Sequence, residues 1–337
     1  MQNVLLEWED DRIMAKPKVF VTKKLPSEVL DYLAGHCELD VWEEKAPPTK
    51  EQLMERVADA EGLLTSAYRI DEELLDRAPK LKVVSNFSVG YNNFDLAAMK
   101  RRGVIGTNTP DVLNETVADL TFSLILGAAR RVAELDRYVR QGLWKRGDDE
   151  NLYGIDVHHA TLGIIGMGRI GEAVARRGKF GFSMDVVYYN RSRKPEAERE
   201  LGAEYVPMDE LLKRSDFVVV LVPLTPETVK LIGRDQFALM KPTAIFINVS
   251  RGQTVDEEAL VEALEQGRIR GAGLDVFARE PIGADHPLLK FPNVVALPHI
   301  GSATAKTRLD MAMLAARNLV SALQGQVPPN IVPELRP

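Results

Sequence analysis

TLGIIGMGRIGEAVARR, residues 161–177, decides the fold. The apolar run LGII is followed at once by Gly166, Gly168 and Gly171 in the pattern GMGRIG, and then by a helical pattern. In a strand–turn–helix unit each of these glycines has its own task. The first permits a tight turn, the second lets backbone approach a pyrophosphate, and the third lets helix pack on strand. Backbone N–H groups around Arg169 and Ile170 would meet such phosphates at the positive end of the helix. A GxGxxG pattern alone also marks simple turns, so it is the strand before it and the helix after it that point to dinucleotide binding.

Downstream of this unit the βα rhythm continues through DVVYYN, FVVVLVP, AIFINVS, GAGLDVF and VVALP, which predicts a six-stranded doubly wound sheet. Upstream, from Lys18 to Pro110, five β-rich runs (KVFVT, LDVW, GLLTS, LKVVSN and VIGTN) alternate with four helical patterns. They predict a smaller, flavodoxin-like parallel sheet. Local signals agree: Thr49 with Gln52 makes a capping box, Pro79 ends DEELLDRA, and Gly103 follows LAAMKRR. Between the two series, NETVADLTFSLILGAARRVAELDRYVRQ (114–141) is amphipathic and free of proline, and reads as one or two long helices connecting the domains. The last helical stretch, from about Thr304 to Leu323, has no strand after it in its own lobe and is expected to return to the first domain. The domain expectation is therefore 17–112, 113–298 and 299–337, the outer two segments forming one discontinuous domain. KRGDDENLYGIDVHHA reads as a surface loop with His158 and His159 in solvent.

A chain of 337 residues exceeds one comfortable core, which agrees with two domains. Its 45% hydrophobic and 27% charged residues are those of an ordinary globular protein, which excludes bulk disorder. The 43 Lys and Arg against 49 Asp and Glu give a net charge of −6, so no general attraction to nucleic acid or anionic membrane is expected and any anion site must be local. No apolar run is long enough to span a bilayer, and the acidic N-terminus is not a secretory signal. The single cysteine, Cys37, excludes an internal disulfide framework or a cysteine-rich metal site and reads as a buried small hydrophobe. A cytoplasmic enzyme without metal is expected. Residues 1–16 precede the first strand and read as an extension, with Met14 a candidate start.

The second strand of the glycine-motif domain should end in the residue that reads the adenosine ribose. An NAD site normally has Asp or Glu there. This chain has YYNRSRK: Asn190 removes the carboxylate that would repel a 2′-phosphate, while Arg191, Ser192 and Arg193 offer two positive charges and a hydroxyl to bind it. NADPH is therefore the expected cofactor, with NADH possible. Three ionisable residues fall at the ends of expected strands or in the loops after them: Arg251 in INVSRG, Glu280 in LDVFAREP and His299 in ALPHIGSAT. Reducing a 2-oxoacid needs a hydride donor, a fixed carboxylate, and an acid for the carbonyl oxygen as it gains charge. Arg251 suits the carboxylate, His299 the acid, and Glu280 the partner that keeps the imidazole protonated. Taken singly, each has a plain structural reading; their common place on the cofactor domain reverses it.

GMGRIG, the run from INVSRG through GLDVFAREP to LPHIGSAT, and the segments SNFSVGYNNFD and TNTPDVLNETVADL together resemble the D-2-hydroxyacid dehydrogenase family. The resemblance runs from Lys18 to the C-terminal helix and is greatest to bacterial glyoxylate/hydroxypyruvate reductases. It implies that Val89 and Gly90 amides bind the substrate carboxylate with Arg251. It also implies that Thr116, Val222, Pro223, Val249 and Asp275 line the nicotinamide side, and that the helices at 114–141 help form a homodimer. The chain departs from the commoner pattern at Asn92, where Asp is frequent, and in RRGKFGFSMDVV, one residue longer than usual. A 2-ketogluconate reductase is the alternative within the same chemistry, and a non-catalytic dinucleotide sensor is the alternative outside it.

Overall fold

A computed structural model describes residues 15–66 and 68–336. The expected N-terminal extension, with Met14, lies outside the described residues except for its last two positions. The chain forms two compact units, one of the described residues up to Pro110 together with those from Leu309 on, the other Asp111–Arg308. The later division falls inside the helix Ala305–Leu323, where no turn residue marks it.

The first unit holds a five-stranded parallel sheet of β1 (Lys18–Val21), β2 (Glu38–Val41), β3 (Gly62–Thr65), β4 (Val83–Asn86) and β5 (Ile105–Thr107), in the order β2-β1-β3-β4-β5. All five were legible as β-rich runs. β3 and β4 are buried along their whole length, which is why they read as continuous rather than alternating apolar runs. Helices cover the sheet and start where the local chemistry demands. Thr49 and Gln52 close a reciprocal capping box on Lys50–Val57, and the Leu96–Arg102 helix stops at Gly103, whose φ of 66° suits a residue without Cβ. The C-terminal segment packs here: Leu319, Ala315, Ala316 and Val320 join Val19, Val21, Leu33 and Val83 in one core, and Ile331 bridges Thr107 of β5. Cys37 lies in that core, where burial pushes its thiol up to about 11.

The second unit carries β6 (Thr161–Ile165), β7 (Asp185–Tyr189), β8 (Glu204–Tyr205), β9 (Phe217–Val220), β10 (Ile245–Asn248), β11 (Gly271–Leu274) and β12 (Val294–Ala296). Their order is β12-β11-β10-β9-β6-β7-β8, all parallel, so the chain reverses direction of growth between β6 and β9. In doubly wound sheets this switch point is where ligands bind. The sheet has one strand more than the sequence pattern leads one to expect. β8 is two residues long, too short to leave a periodic signal. The connector is two helices, Asn114–Ala129 and Val132–Arg140, broken at Arg131 in a left-handed backbone (φ 57°). Arg131 is held in that turn by a paired bond to Glu134 and by donation to the carbonyls of Asn151 and Tyr153. No helix among the described residues is long and apolar enough to cross a membrane.

Inside the first unit, a buried hydroxyl chain ties the returning helix to the sheet. Ser85 Oγ donates to the Ala315 carbonyl at 2.8 Å and accepts from Thr107 Oγ1 at 2.8 Å. Ser85→Ala leaves the buried Thr107 hydroxyl without its acceptor, and should lower stability by about 1–3 kcal/mol. The readout is the urea midpoint; a shift indistinguishable from zero would show that the C-terminal return does not depend on this chain.

Candidate active site

Gly166 ends β6 with φ 105°, and a β-carbon there would meet the backbone of Leu221 and Val222 at 2.8 and 2.9 Å. The turn after β6 therefore lies directly on the chain leaving β9. Gly171 is equally constrained, since its β-carbon would stand 2.5 Å from the Gly166 carbonyl oxygen. Gly168 is different: nothing lies within 4 Å of where its β-carbon would be. It precedes the helix Arg169–Phe182, whose N-terminus has no side-chain cap, so the amides of Arg169 and Ile170 face outward at the positive helix end. Two glycines that must be small for packing and one with open space beside uncapped amides fit a pyrophosphate. The Arg169 side chain pairs with Asp111 at 2.9 Å.

Beyond β7, Asn190 Nδ2 donates to the Ser192 carbonyl at 2.9 Å and shapes the NRSR loop. Arg191 is exposed, whereas Arg193 forms a two-pronged bond to Glu198. Val222 is half-buried against the core, Pro223 is exposed and Val249 is buried. Thr116 shares a 2.7 Å hydroxyl contact with Thr307.

Arg251, Glu280 and His299 follow β10, β11 and β12, the last three strands at that edge of the sheet, and all leave from carboxyl ends. The loops after β10 and β11 are locked together through backbone. A β-carbon on Gly252 would lie 1.9 Å from the Phe277 carbonyl carbon and 2.4 Å from the Ala278 nitrogen, so only glycine lets the two loops touch. Gln253 Nε2 donates to the Ala278 carbonyl (2.8 Å), while Glu257 accepts the Ala278 N–H (3.0 Å) and pairs with His286 (3.1 Å). Arg251 is fixed by its own carbonyl, which accepts from Asn248 Nδ2 at 3.1 Å and Thr254 Oγ1 at 2.7 Å. Burial depresses its guanidinium below the ordinary value, with Glu280's charge opposing. Arginine stays charged at neutral pH regardless.

Glu280 Oε1 accepts the Phe277 N–H at 3.0 Å, and Oε2 lies 2.7 Å from His299 Nδ1. Burial works against the carboxylate, but the bonds from His299 and Phe277 and the charges of His299 and Arg251 outweigh it and hold its pKa below the usual range. An ionised carboxylate only accepts, so Nδ1 carries the proton of this bond and Nε2 is left to hold or release another. His299 itself has φ 53°, uncommon for a residue with a β-carbon. Asp275 sustains that conformation: Oδ1 takes the Ile300 N–H at 2.7 Å and Oδ2 the Gly301 N–H at 2.8 Å. Burial raises the Asp275 pKa, the two N–H bonds notwithstanding.

In the first unit, Val89 and Gly90 sit in the turn after β4. Their carbonyls are taken, Val89 by Asn108 Nδ2 (2.7 Å) and Gly90 by Ser88 Oγ (2.6 Å), while Asn86 and Asn93 pair amide to amide beneath. The Val89 and Gly90 N–H groups make no hydrogen bond among the described residues, which leaves them free for an anion. Sequence reasoning missed Asn86, Asn93, Asn108, Asn248, Gly252 and Glu257. The one signal was an asparagine ending each of two apolar strand runs, SN in β4 and IN in β10.

The profile described as D-isomer specific 2-hydroxyacid dehydrogenase, NAD binding domain, matches residues 122–301. A glyoxylate reductase of Korarchaeum cryptofilum is 51% identical over 319 residues, 94% of this chain and 96% of that one. The glyoxylate/hydroxypyruvate reductase B of Escherichia fergusonii is 50% identical over 317 residues, 94% of this chain and 98% of that one. Among solved structures, an NADPH-dependent glyoxylate/hydroxypyruvate reductase of Sinorhizobium meliloti, in complex with NADP and malonate, superposes with a TM-score of 0.83 at 36% identity, covering 95% of this chain and 98% of that one.

The glycine geometry separates binding from packing. Gly168→Ala should leave thermal stability close to wild type yet weaken dinucleotide binding about tenfold or more, because the new methyl stands where the phosphates approach. Gly171→Ala should lower stability itself, since its clash is with backbone. Thermal unfolding and a binding titration on both variants check this; equal behaviour of the two would contradict the division of labour.

Proposed function

Because the chain belongs to the D-isomer specific 2-hydroxyacid dehydrogenases, a family of NAD(P)-dependent oxidoreductases, we propose that it reduces small 2-oxoacids, glyoxylate and hydroxypyruvate foremost, to D-2-hydroxyacids with NADPH, NADH serving as a second donor. One observation carries the reading: the 2.7 Å His299–Glu280 pair, locked by backbone to the loop that bears Arg251. The names of the relatives support the substrate class, and the NADP complex of the Sinorhizobium protein supports the cofactor.

The bound dinucleotide supplies the hydride; the chain supplies everything else. Arg251 holds the substrate carboxylate with a planar fork that lysine lacks; within the first unit, the Val89 and Gly90 amides are donors suited to an anion. His299 releases the Nε2 proton to the carbonyl oxygen as negative charge grows there, and Glu280 keeps the imidazole charged until then. Thr116, Val222, Pro223 and Val249 border the nicotinamide end. Asp275 stands beside them with its carboxylate committed to the His299 turn. Residues 166–171 hold the pyrophosphate, and the 190–193 loop reads the ribose. On this reading the first unit is the substrate domain and the second the cofactor domain, in a cytoplasmic enzyme.

A homodimer completes the proposal. The helix Val132–Arg140 buries none of its residues, and Val132, Val139, Leu143 and Trp144 on it and just after it are exposed by 56, 54, 45 and 67%. An apolar surface of this kind on an amphipathic helix suits a second copy of the chain. Val139→Asp with Trp144→Asp should turn a dimer into a monomer in analytical ultracentrifugation; a wild-type monomer would remove the reading.

NADPH oxidation with a panel of 2-oxoacids tests the activity itself, and binding of NADPH without turnover on any of them would favour the sensor. His299→Ala should cut kcat by about 10²- to 10⁴-fold while NADPH affinity stays close to wild type. Near-normal turnover in a folded variant would take His299 out of the mechanism. Glu280→Gln removes the negative charge but keeps the shape. In the reductive direction its rate should fall off at lower pH than wild type, because the imidazolium loses its carboxylate partner. An unmoved alkaline limb would disprove that partnership.

A further inference from the structure

The sequence NRSR presents Arg191 and Arg193 as equals, but the structure does not. Arg193 gives Nε to Glu198 Oε1 at 3.0 Å and Nη2 to Oε2 at 2.6 Å, and its guanidinium lies 5.8 Å from the centre of the Tyr205 ring. Glu198 is itself fixed, since Tyr188 Oη donates to Oε1 at 2.7 Å and in turn accepts the Lys194 N–H at 2.6 Å. The loop is thus closed by side chains: Tyr188 at the end of β7, Arg193 and Lys194 in the loop, Glu198 on the following helix Pro195–Leu201. Only 20% of the Glu198 side chain is exposed, against 65% for Arg193. The bonds from Arg193 and Tyr188 keep the Glu198 carboxyl below its usual pKa, so it is anionic at neutral pH. Arg191, by contrast, is exposed and makes no hydrogen bond or close ion pair among the described residues; its charge acts only at longer range, on the Glu227 carboxyl.

A carboxylate bound two-pronged to arginine uses the same planar fork that a phosphate would use and cancels its charge. We propose that Glu198 sets how strongly the site discriminates NADPH from NADH, by occupying Arg193 and leaving Arg191 and the Ser192 hydroxyl to read the 2′-phosphate. This rests on the reading of the 190–193 loop as the ribose site. Glu198 is a specificity-determining residue that need not touch the cofactor. Its charge holds the preference below what two free arginines would give.

Glu198→Gln tests this, because the amide keeps one oxygen for Tyr188 but loses the charge and the second acceptor that completes the two-pronged bond to Arg193. Equilibrium titrations with NADPH and NADH, without substrate, are the readout. NADPH should bind about three- to tenfold tighter, the scale of one exposed charge interaction, and NADH should be unchanged. In the double variant with Arg193→Ala the gain should vanish, since no guanidinium is released. An unchanged NADPH to NADH ratio in folded Glu198→Gln overturns the inference. So does weaker NADPH binding, which would make Glu198 a support for Arg193. The underlying reading is checked apart: Arg191→Ala should weaken NADPH about tenfold and barely move NADH. Equal binding of both nucleotides by that variant and by wild type would remove the ribose site from this loop, and the inference with it.

Discussion

Gly252 has no side chain, and the backbone of Phe277 and Ala278 fills the space that a β-carbon there would need. Through that contact the loop after β10, which carries Arg251, rests on the loop after β11, which carries Glu280. The Phe277 N–H then reaches Glu280 Oε1, and the other carboxylate oxygen reaches His299 in the loop after β12. Residues separated by up to 48 positions in the sequence become one unit through one backbone contact, at Gly252, and the two hydrogen bonds of the Glu280 carboxylate. Side-chain bonds alone would hold them less firmly, since each rotatable bond adds freedom that a backbone contact lacks.

Two carboxylates at this edge of the sheet show how surroundings divide labour. Asp275 and Glu280 both accept backbone N–H bonds, yet their pKa values move in opposite directions. Asp275 is wholly buried and takes two neutral donors, so desolvation dominates and raises it. Glu280 is partly open and adds a hydrogen-bonded imidazole and the nearby Arg251 charge, which outweigh its burial and lower it. Neutral donors fix a backbone turn; charged partners fix a protonation state. The first carboxylate therefore sustains the left-handed backbone at His299, and the second stays ionised and accepts from the His299 ring.

At the nucleotide end the same separation recurs among glycines. Gly166 and Gly171 are small because backbone passes where a methyl would be, while Gly168 has empty space around it. The turn sits where β9 and β7 flank β6 on opposite sides, so a crevice opens at the strand ends as a consequence of strand order.

Much of this was legible in the sequence. GMGRIG between a strand and a helix, the five β-rich runs before it, and Arg251, Glu280 and His299 each just past a strand follow from periodicity and from glycine's freedom, which are local properties. Strand β8 escaped because two residues have no period, and the break at Arg131 because an arginine gives no warning of a left-handed turn. Asn108, Glu257 and Gly252 escaped for a different reason. Each matters through a backbone carbonyl, amide or peptide plane belonging to a distant part of the chain, and such groups are the same in every residue. Arg191 and Arg193 make the point within three positions: they are chemically identical in the sequence, and only the fold, by placing Glu198 and Tyr188 beside one of them, makes one a closed ion pair and leaves the other an open charge.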